Sequence, residues 1–286
     1  TGKKRVRVSD HHEQDRAGAG VKHDVVPVSP VKDETGEISP MGGQKKWERI
    51  YDSQHKTMID SMLEDLDSPN GQTVFEALSF LEERVGKVDI GAGLVRSPNF
   101  KFLLNTLQDT RNPKRRRLAA TILFSALQNN PAAAAGILET EAVKILIGRL
   151  HVESNEIVTR KILSSLIAIV RGDEKSNEAL SQFAEHQAVL ALSQVSMSQL
   201  EDEHVMDRVL VLLVELATTH ASAFKQYHEA VNLMENIVKN LKKPYNDWMT
   251  HAFKPFCKAT PPALATKPYL RKFCQELMEA KETVQE

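Results

Sequence analysis

Glu141-Ala142-Val143 recurs as Gln187-Ala188-Val189 and again as Glu229-Ala230-Val231, each time opening an apolar run. Ala142 to Ala188 is 46 residues and Ala188 to Ala230 is 42. Self-similarity at about 40–47 residues is the mark of stacked helical repeats. One such unit has an apolar face that it cannot bury alone, so each must pack on the next. The chain therefore reads as a solenoid of helices with a long groove, a binding architecture before it is anything else.

The pattern around those trios fills in the repeat. Lys114 to Gln128 is a long helix with Leu118, Ala119, Ile122, Leu123, Ala126 and Leu127 apolar, set off by Asn112-Pro113 and by Asn129-Asn130-Pro131. Glu141 to Leu150 is a short helix. Asn155 starts the next long one, with Ile162, Leu163, Leu166, Ile169 and Val170 inward, and Gly172-Asp173 closes it. The third copy runs from Ala188 to a long helix Asp207–Thr218, with Leu210, Leu213, Val214 and Ala217 inward. A fourth opens at Ala230 and degrades after Lys242-Lys243-Pro244, where Trp248, Phe253, Pro255 and Phe256 interrupt the period. Ahead of these copies, Gly86 through Gly93 reads as a break between helices. The predicted fold is all-α: an armadillo-like, right-handed superhelix of about four three-helix repeats with atypical helical caps. Its parts are a disordered polar tail over 1–45, a capping helix over 46–72, repeats over 73–243 and a C-terminal helical cap over 244–286.

Composition agrees. The chain has 286 residues, is 41% hydrophobic and only 6% aromatic, and has 13 Gly, which argues against an all-β sandwich or barrel. Net charge is −1, so no bulk field draws it to nucleic acid or an anionic membrane. No run approaches the roughly 18 apolar residues of a membrane span. Residues 1–45 are rich in charge, Gly and Pro and lack a helical period; Val25 to Val31 carries two prolines and reads as a linker. Lys3-Lys4-Arg5 is too short, and too close to acids, to read as a nuclear signal. Cys257 and Cys274 do not make a disulfide framework; they read as two half-buried helical thiols, with one bridge as the alternative.

The sequence has no Gly-rich phosphate loop, no Gly-x-Ser-x-Gly elbow and no His-Glu-x-x-His, so it does not read as an enzyme. The histidines are scattered and the cysteines lack zinc spacing, so neither metal nor cofactor is expected. What remains is a polar stripe on each long helix. Arg117, Thr121, Ser125 and Gln128 recur at steps of four, four and three, with Asn129 just beyond. In an armadillo stack the third helix of each unit lines the concave face. Arg160, Lys161, Ser164 and Arg171 would then lie beside them, and Arg208 and Glu215 would extend the row. Lys114-Arg115-Arg116-Arg117 reads as a basic spot on that groove.

These residues also carry a resemblance. Asn112-Pro113, Ala119-Ala120 and Gln128-Asn129-Asn130-Pro131 look like the second repeat of the armadillo-type nucleotide-exchange factors of heat shock protein 70 chaperones. Ala77-Leu78 with Leu81-Glu82-Glu83 and Asp89 is similar to the first repeat. Ile162-Leu163-Ser164-Ser165-Leu166, Val170-Arg171, Asn177, Phe183 and Ala188-Val189 are similar to the third. The resemblance covers about residues 60 to 240; the usual Gly-Gly before each short helix is Glu-Ala or Gln-Ala here. It implies a monomeric co-chaperone whose concave stripe binds the ATPase domain of such a chaperone and promotes ADP release. The family has a cytosolic branch and a branch serving BiP in the endoplasmic reticulum. The long polar N-terminal region favours the lumen, with the cytoplasm as the alternative. A retention tetrapeptide is absent from Thr283-Val284-Gln285-Glu286. The rival reading is an armadillo scaffold for an extended peptide. Such scaffolds use more repeats and a ladder of Asn and Trp, whereas Trp47 and Trp248 lie outside the central long helices.

Overall fold

A computed structural model describes residues 57–172, 176–199, 201–218, 225–240, 247–259 and 265–279. The tail expected over 1–45 and residues 46–56 of the expected capping helix lie outside them. Among the described residues there is no strand. The helices in chain order are α1 (57–65), α2 (Gly71–Arg84), α3 (Val88–Arg96), α4 (Phe100–Gln108), α5 (Pro113–Leu127), α6 (Pro131–Ile137) and α7 (Ala142–Leu150). They continue with α8 (Glu156–Arg171), α9 (Ser176–Glu185), α10 (Ala188–Ser198), α11 (Glu203–Thr218), α12 (Tyr227–Asn240), α13 (Asp247–Lys258) and α14 (Pro268–Glu279).

Three complete triplets follow α1 and α2: α3–α5, α6–α8 and α9–α11. In each the third helix is the longest. α12 and α13 take the second and third places of another. Third-place helices pack on one another in one row, α2 on α5, α5 on α8, α8 on α11 and α11 on α13; second-place helices form a parallel row, α4, α7, α10, α12 and α14. One apolar core runs the length of the stack, from Ile59 to Leu277. It exists only because each unit supplies half of its neighbour's wall.

Asparagine punctuates the stack. Asn70, Asn112, Asn130 and Asn155 each sit one residue before a helix. Their side chains accept hydrogen bonds from Gln72 N, Arg115 N, Ala133 N and Val158 N, occupying donors that the first helical turn leaves unpaired. Asn130 does more: its Nδ2 donates to Val88 O at 2.9 Å and so ties one repeat to the one before. Asn129 reverses the chain between α5 and α6 with a left-handed φ of 54°.

The structure corrects several readings. The break expected over Gly86–Gly93 is confined to the turn at residues 85–87, and α3 runs on through Gly91 and Gly93. A Cβ at Gly91 would stand 2.7 Å from Ala126 O and 2.8 Å from Asn130 Nδ2, so glycine is there to let two helices touch. Pro131, read as the end of the long helix, opens a first-place helix over Pro131–Ile137 to which the sequence reading assigned no element. α11 starts at Glu203 rather than Asp207. Within the expected helical cap, residues 247–258, where the period was expected to lapse, form one helix with Pro255 inside it. Cys257 on α13 and Cys274 on α14 are not separate thiols: they form a disulfide across 17 residues, with Cα atoms 5.3 Å apart.

Candidate functional site

α5 and α8 lie side by side, and their C-terminal halves open a cleft of about 380 Å³. α5 contributes Phe124 and Gln128, the turn after it contributes Asn129, and α8 contributes Ser164, Ile167 and Arg171. Arg208 reaches its edge from α11. Five of the stripe residues, Gln128, Asn129, Ser164, Arg171 and Arg208, therefore share one concavity. Ser164 is buried at 8% exposure, so it forms wall rather than rim. Glu215 joins them through its Oε1, which accepts from Arg171 Nε at 2.7 Å.

Lys161 stands with its Nζ 4.7 Å from the centre of the Phe124 ring. Burial pushes the Lys161 ammonium down from its ordinary range, and the charges of Arg208 and Arg160 push the same way against Glu82. Arg208 is lowered as well, first by burial and then by Arg171 and Arg160, with Asp207 opposing. These mutual effects place Arg160, Lys161, Arg171 and Arg208 in one cationic field across α8 and α11. Arg117 and Thr121 lie on α5 seven and three residues before Phe124, on the same helical face, but outside the cleft lining. Arg117 is exposed and Thr121 half-buried.

Two members of this face were missed in the sequence. Phe124 reads as one more apolar residue of a buried helix, yet it is half-exposed while Ile122 and Leu123 are at 0% and 1%. Its spacing of seven from Arg117 was the available signal. Glu82, on α2, acts electrostatically on Lys161. The Lys114–Arg117 run also needs correction. Arg116 is buried, and its Nε donates to Glu153 Oε2 at 2.9 Å. Its Nη1 donates to the Asp109 carbonyl at 2.8 Å. Arg149 Nε meets the same Glu153 oxygen at 2.8 Å, and Asn155 N donates to the other. Arg115 lies over the Phe75 ring at 5.5 Å. The run is divided among a buried ion network, a stacking contact and, in Arg117, an exposed side chain.

The described residues include no group of His, Cys, Asp or Glu able to hold a metal, and no helix long and apolar enough to cross a membrane. The fold is shared with engineered proteins. One crystal structure of an engineered protein matches with a TM-score of 0.64 at 19% identity, over 78% of this chain and 89% of the other. Computationally designed armadillo repeat proteins for modular peptide recognition match with a TM-score of 0.58 at 18% identity, over 78% of this chain and 99% of theirs. The Hsp70 nucleotide exchange factor fes1 of Schizosaccharomyces pombe is 31% identical over 98 residues. That stretch is 34% of each protein, so the chain spans about a third of the relative's length. The family model of nucleotide exchange factor SIL1 matches residues 48–286, which takes in every helix of the stack and the whole polar face. A stacked helical groove with a cationic rim and the match across nearly all of its length lead to one conclusion: the chain belongs to the SIL1 family of nucleotide exchange factors.

Proposed function

We propose that the row α2, α5, α8 and α11 clasps the ATPase domain of a heat shock protein 70 family chaperone and promotes ADP release. The observation that carries this is the cationic field of Arg160, Lys161, Arg171 and Arg208 on adjacent third-place helices, in a chain of an exchange-factor family. Exchange of a bound nucleotide makes and breaks no bond in this protein. It requires that the groove bind the nucleotide-free, opened chaperone better than the ADP-bound one. Linkage then makes the factor weaken ADP by the same ratio that ADP weakens the factor. A useful acceleration asks for about 2–4 kcal/mol of such differential binding. A stack whose units are locked by core and caps keeps the groove in its binding form and lowers the cost of docking. We place the protein in the lumen of the endoplasmic reticulum as a monomer. The Cys257–Cys274 bond supports that compartment, since disulfides persist where the environment oxidises thiols.

Stopped-flow release of a fluorescent ADP analogue from a chaperone ATPase domain tests the reading. The wild-type chain should accelerate release. Arg117→Ala, Arg160→Ala, Gln128→Ala and Arg171→Ala should each keep the fold, because exposed substitutions stay within about ±0.5 kcal/mol. They should slow release, since an interfacial charge stripped of its partner costs about 2 kcal/mol or more. Failure to accelerate release from both luminal and cytosolic chaperones would return the chain to the peptide-scaffold reading. Wild-type acceleration untouched by Arg117→Glu with Arg160→Glu would keep the function and move the interface elsewhere.

A further inference from the structure

We propose that the α5–α8 cleft is an anchor subsite for an acidic segment of the partner protein, an aliphatic side chain seating on Phe124 and a neighbouring carboxylate meeting Arg208 and Arg160. The inference rests on the exchange-factor reading and names what the groove grips. Among the described lining residues Phe124 is the only aromatic, and it stands half-exposed on a helix whose other inward residues are closed off. A solvated Phe on a concave face leaves apolar surface in water that a partner can cover. Ile167 and Ala168 on α8 form the opposite wall, so the floor is apolar across both helices. The rim is not. Lys161 lies over the Phe124 ring, and Arg208 and Arg171 line the same cleft. An apolar floor with cationic edges, in a volume of about 380 Å³, fits one side chain and its acidic neighbour.

Charge decides the sign of the occupant. Four cations crowd the site, and Asp207, Glu215 and Glu82 are the acids acting within it. Beside that geometry, burial and then neighbouring cations push both down: Arg208 and Arg160 act on Lys161, and Arg171 and Arg160 act on Arg208. A carboxylate placed between them would relieve that repulsion, whereas a basic segment would add to it. Large, rigid aromatic anchors inside a charged rim are also where interfaces concentrate their binding energy.

The test uses the full chain and the ATPase domain of a heat shock protein 70 family chaperone. Phe124→Ala should weaken binding about tenfold or more with the melting temperature held within a few degrees. Phe124→Leu, which retains most of the apolar volume, should fall between. Arg160→Glu with Arg208→Glu should weaken binding and reduce its dependence on salt. A photo-crosslinking residue at position 124 should attach to a segment of the ATPase domain in which an aliphatic residue adjoins Asp or Glu. If the wild-type chain binds the ATPase domain and accelerates its ADP release while Phe124→Ala binds equally well, the anchor is overturned and the exchange reading stands. The same holds if the crosslink lands on a basic or uncharged segment, or does not form. If the wild-type chain does not bind the ATPase domain at all, both readings fall together. Should Phe124→Ala melt early, the charge reversal and the crosslink decide between these outcomes.

Discussion

Glu153 shows how one side chain can hold two repeats in register. Its side chain is fully shielded, and it accepts from Arg116 of one unit and Arg149 of the next. Burial opposes its ionisation, but the hydrogen bonds from Arg116, the Asn155 amide and Arg149 win and hold the carboxyl below its ordinary value of 4.5. A carboxyl depressed in the folded state stabilises it fully above the unfolded value. That contribution fades as the pH falls below about 4.5 toward the folded value. Glu153→Gln should therefore lower stability by about 3 kcal/mol at neutral pH, since it strips the partner from two buried guanidinium groups. It should also flatten the acid limb of a melting-temperature titration; an acid limb as steep as the wild type's would show that other carboxylates set it. None of this was legible in Lys114-Arg115-Arg116-Arg117. A run of like charges does not say which member turns inward, because the answer lies 37 residues away in Glu153. Ile162, Leu163 and Val170 were legible for the opposite reason: their burial follows from helical period alone.

At the scale of the element, caps and staples take over. Asn130 both caps α6 and bonds to the Val88 carbonyl, so Asn130→Ala should cost about 2 kcal/mol, at the upper end for a cap. Asn112→Ala, a cap without that second bond, should cost about 1 kcal/mol, and urea melts of the two variants measure the difference. Gly91→Ala should destabilise by about 1–3 kcal/mol through its approach to Ala126, although alanine is the better helix former. That inversion explains why α3 was hidden. Three glycines in eight residues look like a long break when propensity is read alone, and packing overrides propensity at Gly91 and Gly93. Long helices were legible because their apolar stripes repeat. α6, with its Ala-rich seven residues between Pro131 and Ile137, has too little pattern to declare itself. The Cys257–Cys274 bond was illegible because two lone cysteines carry no geometry. Cys257→Ser with Cys274→Ser should cost about 2–3 kcal/mol by freeing a loop of 17 residues, and limited proteolysis should then cut near α14 first.

The whole molecule behaves as a row of neighbours. Each unit touches only the next, so losing a terminal one exposes the apolar face of the unit beneath. Truncation after residue 218 would uncover Leu212, Leu213 and Leu216 of α11, and the shortened chain should associate at micromolar concentration where the full chain does not; analytical ultracentrifugation distinguishes them. Deleting residues 1–45, which lack an apolar period in sequence, should leave the melting temperature unchanged. The period of 42 to 46 residues made this architecture readable, and the polar stripes made most of the candidate face readable with it. What they left out was the floor of the cleft, where Phe124 counts as core by composition and as surface by position.

The disulfide between α13 and α14 also sets an order in time. During synthesis the chain emerges from its N-terminus, and units can dock as they appear. Cys274 follows every helix of the row from α2 to α13. The bond can close only after all of those helices have left the ribosome, onto a stack that its neighbours have already organised. Oxidation therefore follows the synthesis of every helix from α2 to α13. A cell that delays it would hold a molecule with its groove assembled and its end still unfastened.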